Sequence, residues 1–167
     1  ASNDASSSSS YDMVVVGGGS AGLTAAKFAG GTLKKSVLIV EEEKLGGDCT
    51  WTGCVPSKSL LSQAKASKAA RNYAIQQNSG SSDRMAKDQD FQSRANFQKV
   101  QEYFRRVQQE IYEEDDSPQA LKAFGVDTVE GNKAQLVSPN SLTYQEKDGS
   151  KTTVEAKEGI LLCTGAK

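Results

Sequence analysis

The sequence contains no histidine, and only three cysteines, three prolines and one tryptophan occur among its 167 residues. Histidine is the side chain that most often exchanges protons near neutral pH, and it is a common zinc ligand. Proton chemistry in this chain must therefore use cysteine, lysine, glutamate or tyrosine, unless the acid–base residue lies outside the sequence. Three cysteines are too few for a secreted disulfide scaffold, which favours a reducing compartment, either the cytoplasm or an organelle interior.

The chain also lacks a strong net charge and a long apolar run. Its 20 Lys and Arg residues nearly balance its 21 Asp and Glu residues, which gives a formal net charge of −1. No basic surface for nucleic acid is indicated. No run approaches the roughly 20 apolar residues that a membrane-spanning helix requires. We expect neither a nucleic-acid partner nor a membrane partner, and no resident metal.

The first ten residues differ in composition from the rest, because Ser6 to Ser10 is an uninterrupted serine run. Such a segment cannot bury apolar surface, so residues 1–10 are predicted to be a disordered tail. Residues 11–167 are long enough for one domain with a proper core.

A strand–helix–strand pattern follows this tail. Tyr11 to Val16 and Ser36 to Val40 are short apolar runs rich in β-branched residues, which is typical of parallel strands buried on both faces. Between them, residues 20–29 are rich in alanine and are predicted to be helical. The pattern predicts an α/β, Rossmann-like fold with a parallel sheet and flanking helices.

The turn after the first strand has the glycine spacing of a dinucleotide-binding loop. The first glycine permits the tight turn, the second lets backbone approach a pyrophosphate, and the third lets helix and strand pack closely. Glu41 ends the next strand, 19 residues after Gly22, where a carboxylate would hold ribose hydroxyls and disfavour a 2′-phosphate. This motif alone leaves FAD and NAD as alternatives. Its candidate cofactor-binding residues are Gly17, Gly19, Ser20, Ala21, Gly22 and Glu41.

The middle of the chain predicts two helices. Ser57 to Ile75 is helical by composition, Gln76 to Asp83 is a flexible break, and a long helix covers roughly Phe91 to Glu113. Apolar residues recur in this last helix at spacings of three and four, which predicts a stripe packed into the core. The stripe consists of Phe97, Val100, Phe104, Val107 and Ile111.

The last part of the chain predicts strands. Val126 to Glu130 is followed by a small antiparallel β-meander, made of Gln135 to Val137, Leu142 to Gln145 and Thr152 to Glu155. Gly159 to Lys167 is a further apolar strand that runs into a glycine turn and stops. We interpret this ending as an incomplete domain.

Two cysteines lie in the stretch GGDCTWTGCVPSK, Gly46 to Lys58, with four residues between them. On an ideal helix, Cα atoms five residues apart are roughly 8–9 Å apart. A disulfide needs about 4.4–6.8 Å. Cys49 and Cys54 can therefore bridge only if the backbone between them is bent, and Gly53 and Pro56 are suited to bending it.

The surroundings of Cys54 favour a thiolate. If a helix begins near this residue, its positive N-terminal end lies close to the sulfur, and Lys58 adds a cation four residues later. From spacing alone, two readings remain open: a reactive redox pair, or two unrelated buried cysteines.

Three motifs together resemble the flavin-dependent pyridine nucleotide–disulfide oxidoreductases. GGDCTWTGCVPSK resembles the redox-disulfide signature of that family, and VVVGGGSAG with Glu41 resembles its FAD site. ILLCTG resembles the second flavin motif, usually written with Ala-Thr-Gly. The stretch from Asn96 to Val126 is most similar to a mercuric-reductase-like branch. The resemblance extends over nearly all of Tyr11 to Lys167.

The resemblance implies a catalytic role for three residues. Cys49 would be the interchange thiol that faces the substrate, and Cys54 the charge-transfer thiol that lies against the flavin. Lys58 would sit near the reactive flavin nitrogen. Electrons would pass from NAD(P)H to FAD, then to the Cys49–Cys54 disulfide, and on to a disulfide or metal-ion substrate.

The resemblance also implies further contacts with FAD. Ala134 would contact the adenine side through its backbone, while Thr164 and Gly165 would line the cofactor again. Gly47, beside the cysteines, is a further candidate. With these additions, the implied FAD-binding residues are Gly17, Gly19, Ser20, Ala21, Gly22, Glu41, Gly47, Lys58, Ala134, Thr164 and Gly165.

Three positions depart from the family pattern. Asp48 stands where threonine is usual, and Trp51 where asparagine is common. Both lie inside or beside the cysteine loop, so the family pattern does not predict substrate access or the local redox potential here. Cys163 replaces the usual alanine and is predicted to be a buried structural thiol.

The family continues beyond this sequence with an NAD(P)H domain and a dimerisation domain. We therefore expect a homodimer for the full-length protein, and we expect this chain alone to be inactive. Two alternatives remain: a non-catalytic flavin-binding fragment, and another FAD- or NAD-dependent oxidoreductase whose cysteines are incidental.

Overall fold

A six-stranded mixed sheet organises the computed structural model, which describes residues 8–77, 89–146 and 148–165. The chain divides into two compact units. The first contains the sheet and comprises the described residues up to Cys49 and from Ile111 onward. The second runs from Thr50 to Glu110. Within the described ranges, no helix combines the length and the apolar character needed to cross a membrane.

The strand order is β3-β2-β1-β6-β5-β4. The first four strands in this order pair in parallel, and β5 and β4 complete the sheet by antiparallel pairing. The predicted α/β fold with a largely parallel sheet and an antiparallel end is confirmed. The strands are β1 (Ser8–Val16), β2 (Val37–Glu41), β3 (Val126–Glu130), β4 (Gln135–Ser138), β5 (Ser141–Gln145) and β6 (Lys151–Leu162).

The helices of the first unit begin at residues that the sequence marks. Gly19 is the N-cap of the helix that follows the glycine loop, α1 (Ser20–Lys27). Ser117 caps the helix near the acidic run, since its hydroxyl accepts a hydrogen bond from the Ala120 N–H at 3.2 Å, and Pro118 follows as the first helical residue. The helices are α1 (Ser20–Lys27), α2 (Gly47–Trp51), α3 (Cys54–Gln77), α4 (Gln89–Ile111) and α5 (Pro118–Lys122), with π-helical turns at Phe28–Thr32 and Tyr112–Asp116.

Both faces of the central strands are buried, as the β-branched runs predict. Val15, Val37 and Ile39 pack on one face with residues of α1 and α5. Their neighbours in the chain, Val14 and Leu38, pack on the opposite face with residues of β5 and β6. Alternate residues of a strand point to opposite faces, so each apolar run serves two cores at once.

Two predicted boundaries in the first unit are wrong. Ser8, Ser9 and Ser10 were assigned to the disordered tail, but they pair with β6 as the first residues of β1. Residues 1–7 of that tail lie outside the described part of the chain. The two strands predicted at 152–155 and 159–167 are one strand, β6, because it pairs with β1 over almost its whole length.

The second unit contains α3 and most of α4. The predicted flexible break covers Gln76 to Asp83. Its first two residues are still helical, because α3 extends to Gln77, and its remaining residues lie outside the described part of the chain. The predicted core stripe of α4 is not a buried core. Phe97 is 56% exposed, and the other four stripe residues are only half-buried. Among residues 97–111 of this helix, whose burial is described, the buried residue is polar, Gln108, which is 7% exposed.

Candidate functional site

The turn between β1 and α1 is held tightly against the ends of two neighbouring strands. The Gly17 N–H donates to the Val40 carbonyl at 2.9 Å, and the Cys163 N–H donates to the Val16 carbonyl at 2.7 Å. Gly17 has a φ of +102°, and a Cβ there would lie 2.3 Å from the Cys163 carbonyl oxygen. Only glycine fits this position, which confirms the geometric reason for the first glycine of the motif.

The second glycine of the motif leaves open space instead of a contact. A Cβ at Gly19 would meet nothing nearer than the Gly47 Cα, at 4.0 Å. Gly19 borders a cleft of about 300 Å³ at the carboxyl ends of the parallel strands. That volume is at the lower end of the range of roughly 300–1,000 Å³ that is usual for small-molecule sites. Space beside this glycine is what a ligand approaching the backbone requires.

Glu41 ends β2 at the cleft and braces the glycine loop. One oxygen of its carboxylate accepts the Gly18 N–H at 2.5 Å, and the other accepts the Glu43 N–H at 2.8 Å. Both bonds leave lone pairs on a half-buried carboxylate that lines the cleft. The carboxylate is thus oriented before any ligand binds.

Two residues at the end of β3 support this arrangement, and sequence reasoning missed both. Asn132 is buried, its N–H donates to the Glu41 carbonyl at 3.1 Å, and its side-chain amide donates to the Glu130 carbonyl at 3.0 Å. The Glu130 carboxylate accepts the Leu45 N–H at 2.8 Å and the Tyr112 hydroxyl at 3.5 Å. Burial, with the nearby Glu130 charge, raises the pKa of Tyr112. A polar residue just after a strand that neighbours Glu41 is the signal that could have identified Asn132.

Most of the predicted cofactor residues line this one cleft. Ser20 and Ala21 are instead the first residues of α1, where free N–H groups and the helix dipole favour an anion. Gly22 is buried beneath the loop. The predicted residues that line the cleft are Gly17, Gly19, Glu41, Gly47, Ala134, Thr164 and Gly165.

Several lining residues were not predicted as site residues. Cys163 was expected to be a buried structural thiol, but it is half-buried and lines the cleft. Lys133 also lines it and pairs with Glu42 at 3.8 Å. Asp48, which departs from the family pattern, contributes to the lining as well. Within the ranges that the structure describes, no group of three or more His, Cys, Asp or Glu side chains could hold a metal ion.

The catalytic candidates lie at the junction of α2 and α3. Cys49 is half-buried in α2 and belongs to the first unit. Cys54 is the exposed first residue of the 24-residue helix α3, in the second unit, and Lys58 is exposed one turn later. No disulfide joins any of the three described cysteines. Helix α2 ends at Trp51 and α3 begins at Cys54, so the helical backbone is interrupted at Thr52 and Gly53, while Pro56 lies in the first turn of α3.

The geometry of the cleft suits the adenosine diphosphate part of a dinucleotide. It combines an open space beside Gly19, the N-cap of α1, with the oriented carboxylate of Glu41. Val16 and Val40 add apolar surface to the lining. An anion, two ribose hydroxyls and a flat apolar base would each find a matching group.

Comparisons with known proteins agree with this reading. Residues 11–167 match a family described as pyridine nucleotide-disulphide oxidoreductase. A 33-residue segment is 54% identical to dihydrolipoyl dehydrogenase of Bacillus subtilis, which is 20% of this chain and 7% of that protein. The fold is similar to that of the HOCl-induced flavoprotein disulfide reductase RclA of Escherichia coli, solved as a Cu(II) complex. That match has a TM-score of 0.62 and 20% identity, and covers 95% of this chain but 29% of the reductase.

Proposed function

Because the chain belongs to the pyridine nucleotide-disulphide oxidoreductase family, we propose that it is the FAD-binding, redox-disulfide part of a flavoprotein oxidoreductase. The observation that carries the proposal is the cleft in which Glu41 and the open side of Gly19 face the same space. The N–H groups of Ser20, Ala21 and Gly22 would bind the pyrophosphate. The Glu41 carboxylate would accept the ribose hydroxyls.

The remaining lining residues would hold the rest of the cofactor. Ala134 would present its backbone to the adenine, and Thr164 and Gly165 would extend the contact beyond the pyrophosphate. FAD, when bound, supplies two-electron transfer between a nicotinamide donor, NADH or NADPH, and a cysteine pair. Gly47 lies in the cleft two residues before Cys49, and this proximity along the chain supports linking the two functions.

The cysteines would carry the electrons to the substrate. Cys49 would exchange with the substrate, and Cys54 would face the cofactor. The N-terminus of α3 favours an anionic sulfur at Cys54, and Lys58 lies four residues on, where side chains share one helix face. The substrate would be a disulfide or a metal ion, and a metal ion would fit the resemblance to the mercuric-reductase-like branch. The full-length protein would be a homodimer, and it would work in a reducing compartment.

Replacing Glu41 is expected to weaken FAD binding. Hydrogen bonds to a charged group contribute about 1.5–3 kcal/mol, so Glu41→Ala should raise the Kd by about tenfold or more. Titration of the full chain with FAD, followed by flavin fluorescence, measures this change. Glu158→Ala is the matched control, because this acid is exposed and pairs with Lys35 away from the cleft.

The same titration with NAD⁺ tests the alternative cofactor. We expect FAD to bind more tightly than NAD⁺ and to be released as free flavin on denaturation. Tighter binding of NAD⁺, or equal FAD affinity in the Glu41→Ala and Glu158→Ala variants, would refute the assignment of the cleft.

A further inference from the structure

The buried amide of Gln108 contacts the backbone between the two cysteines. Gln108 lies in α4 and is 7% exposed. Its Nε2 atom donates to the Thr50 carbonyl at 3.0 Å and to the Trp51 carbonyl at 2.7 Å. All three residues belong to the second compact unit. One side-chain nitrogen therefore holds two successive carbonyls of the segment that separates Cys49 from Cys54.

These two carbonyls are the last ones of α2, which ends at Trp51. The final carbonyls of a helix have no partner within that helix. If α2 continued directly into α3, they would accept hydrogen bonds from the N–H groups of Cys54 and Val55, four residues further on. By donating to both carbonyls, Gln108 stabilises the end of α2 against this continuation. It therefore supports the interruption at Thr52 and Gly53.

The interruption decides whether a disulfide can form. In an uninterrupted helix, the Cα atoms of Cys49 and Cys54 would be roughly 8–9 Å apart. A disulfide requires about 4.4–6.8 Å between Cα atoms. A contact that stabilises the interruption thus favours the backbone geometry in which the two sulfur atoms can bond.

We propose that Gln108 is a positioning residue for the redox pair, which holds the backbone break that allows Cys49 and Cys54 to bridge. This inference rests on the proposed function of the two cysteines. The reaction in question is oxidation by glutathione disulfide. A bond forms between the two cysteine sulfur atoms, the disulfide of glutathione breaks, and its two sulfur atoms take up the two electrons and two protons as thiols.

The test compares Gln108→Met with the wild-type chain. Methionine has a similar length but no N–H donor. The full chain is equilibrated in glutathione buffers of stepped ratio, thiols are trapped by alkylation, and peptide mapping identifies the Cys49–Cys54 bond. We expect the equilibrium constant for oxidation to fall about tenfold, which corresponds to about 30 mV for a two-electron couple. Gln98→Met, at an exposed position of the same helix, should leave the constant unchanged.

A second variant keeps the test decisive if Gln108→Met does not fold. Gln108→Glu retains the shape, but an ionised carboxylate cannot donate, whereas its protonated form has one O–H donor. The equilibrium constant for oxidation of this variant should therefore approach the wild-type value as the pH is lowered. A folded variant of either kind with the wild-type equilibrium constant would overturn the role of Gln108. Failure of the wild-type chain itself to form the bond at any ratio would instead refute the proposed redox pair, and the inference with it.

Discussion

Gly22→Ala is expected to destabilise the chain by about 3 kcal/mol or more, since overpacking a tight contact costs typically 1–3 kcal/mol and sometimes more. A Cβ at this position would lie 1.9 Å from the Gly17 carbonyl oxygen and 3.2 Å from a methyl carbon of Val15. The carbonyl is backbone and cannot rotate away, so α1 must move off β1. Urea unfolding followed by circular dichroism measures the loss.

Gly19→Ala is the matched control for this substitution. Gly19 has a φ of −82°, which any residue adopts, and the nearest atom to its Cβ would be 4.0 Å away. The stability should change by less than about 1 kcal/mol. FAD affinity should nevertheless fall, because the methyl group occupies the space beside the loop. Equal destabilisation by the two substitutions would contradict the assignment of packing to Gly22 and of ligand approach to Gly19.

Leu45→Ala is expected to cost about 3 kcal/mol, within the usual range of about 2–5 kcal/mol for a buried leucine. Leu45 is fully buried, and its Cδ2 atom lies 2.4 Å from where a Cβ of Gly18 would be. It is the core residue in the segment that leads from Glu41 to Cys49. Its removal should therefore lower both the unfolding free energy and the affinity for FAD.

An exposed leucine provides the comparison for Leu45. Leu33 is 53% exposed, so Leu33→Ala should change the unfolding free energy by less than about 1 kcal/mol and leave FAD binding intact. Thermal unfolding and the flavin titration are carried out on both variants. Comparable losses in the two variants would mean that the segment before Cys49 is not anchored by Leu45.

The parts of the fold that follow local patterns were predictable from the sequence. β1 and β2 are apolar runs buried on both faces, and the strand containing Glu41 ends at that residue, as expected from the motif. The boundaries of β6 were not predictable. Gly159 interrupts the apolar pattern, but pairing with β1 carries the strand through it. Pairing over such a distance leaves no local trace in the chain.

The site was predictable to the extent that its residues form motifs. The glycines and Glu41 do so, and they meet in one cleft. Glu130 and Gln108 act through backbone groups of residues distant in the chain. Backbone carbonyls and N–H groups are the same for almost every residue, so sequence contains no signal for these partners.

The most direct test of the account is reductive titration of the FAD-loaded chain with dithionite. If Cys54 is the thiol that faces the flavin, two electrons per FAD, added to the wild-type chain after its Cys49–Cys54 disulfide has been formed, should reduce that disulfide and produce a long-wavelength charge-transfer absorbance. The band should be absent in Cys54→Ser and should be retained when the cleft cysteine is changed in Cys163→Ala. A band that persists in Cys54→Ser, or a wild-type chain that binds FAD and shows none, would contradict the account.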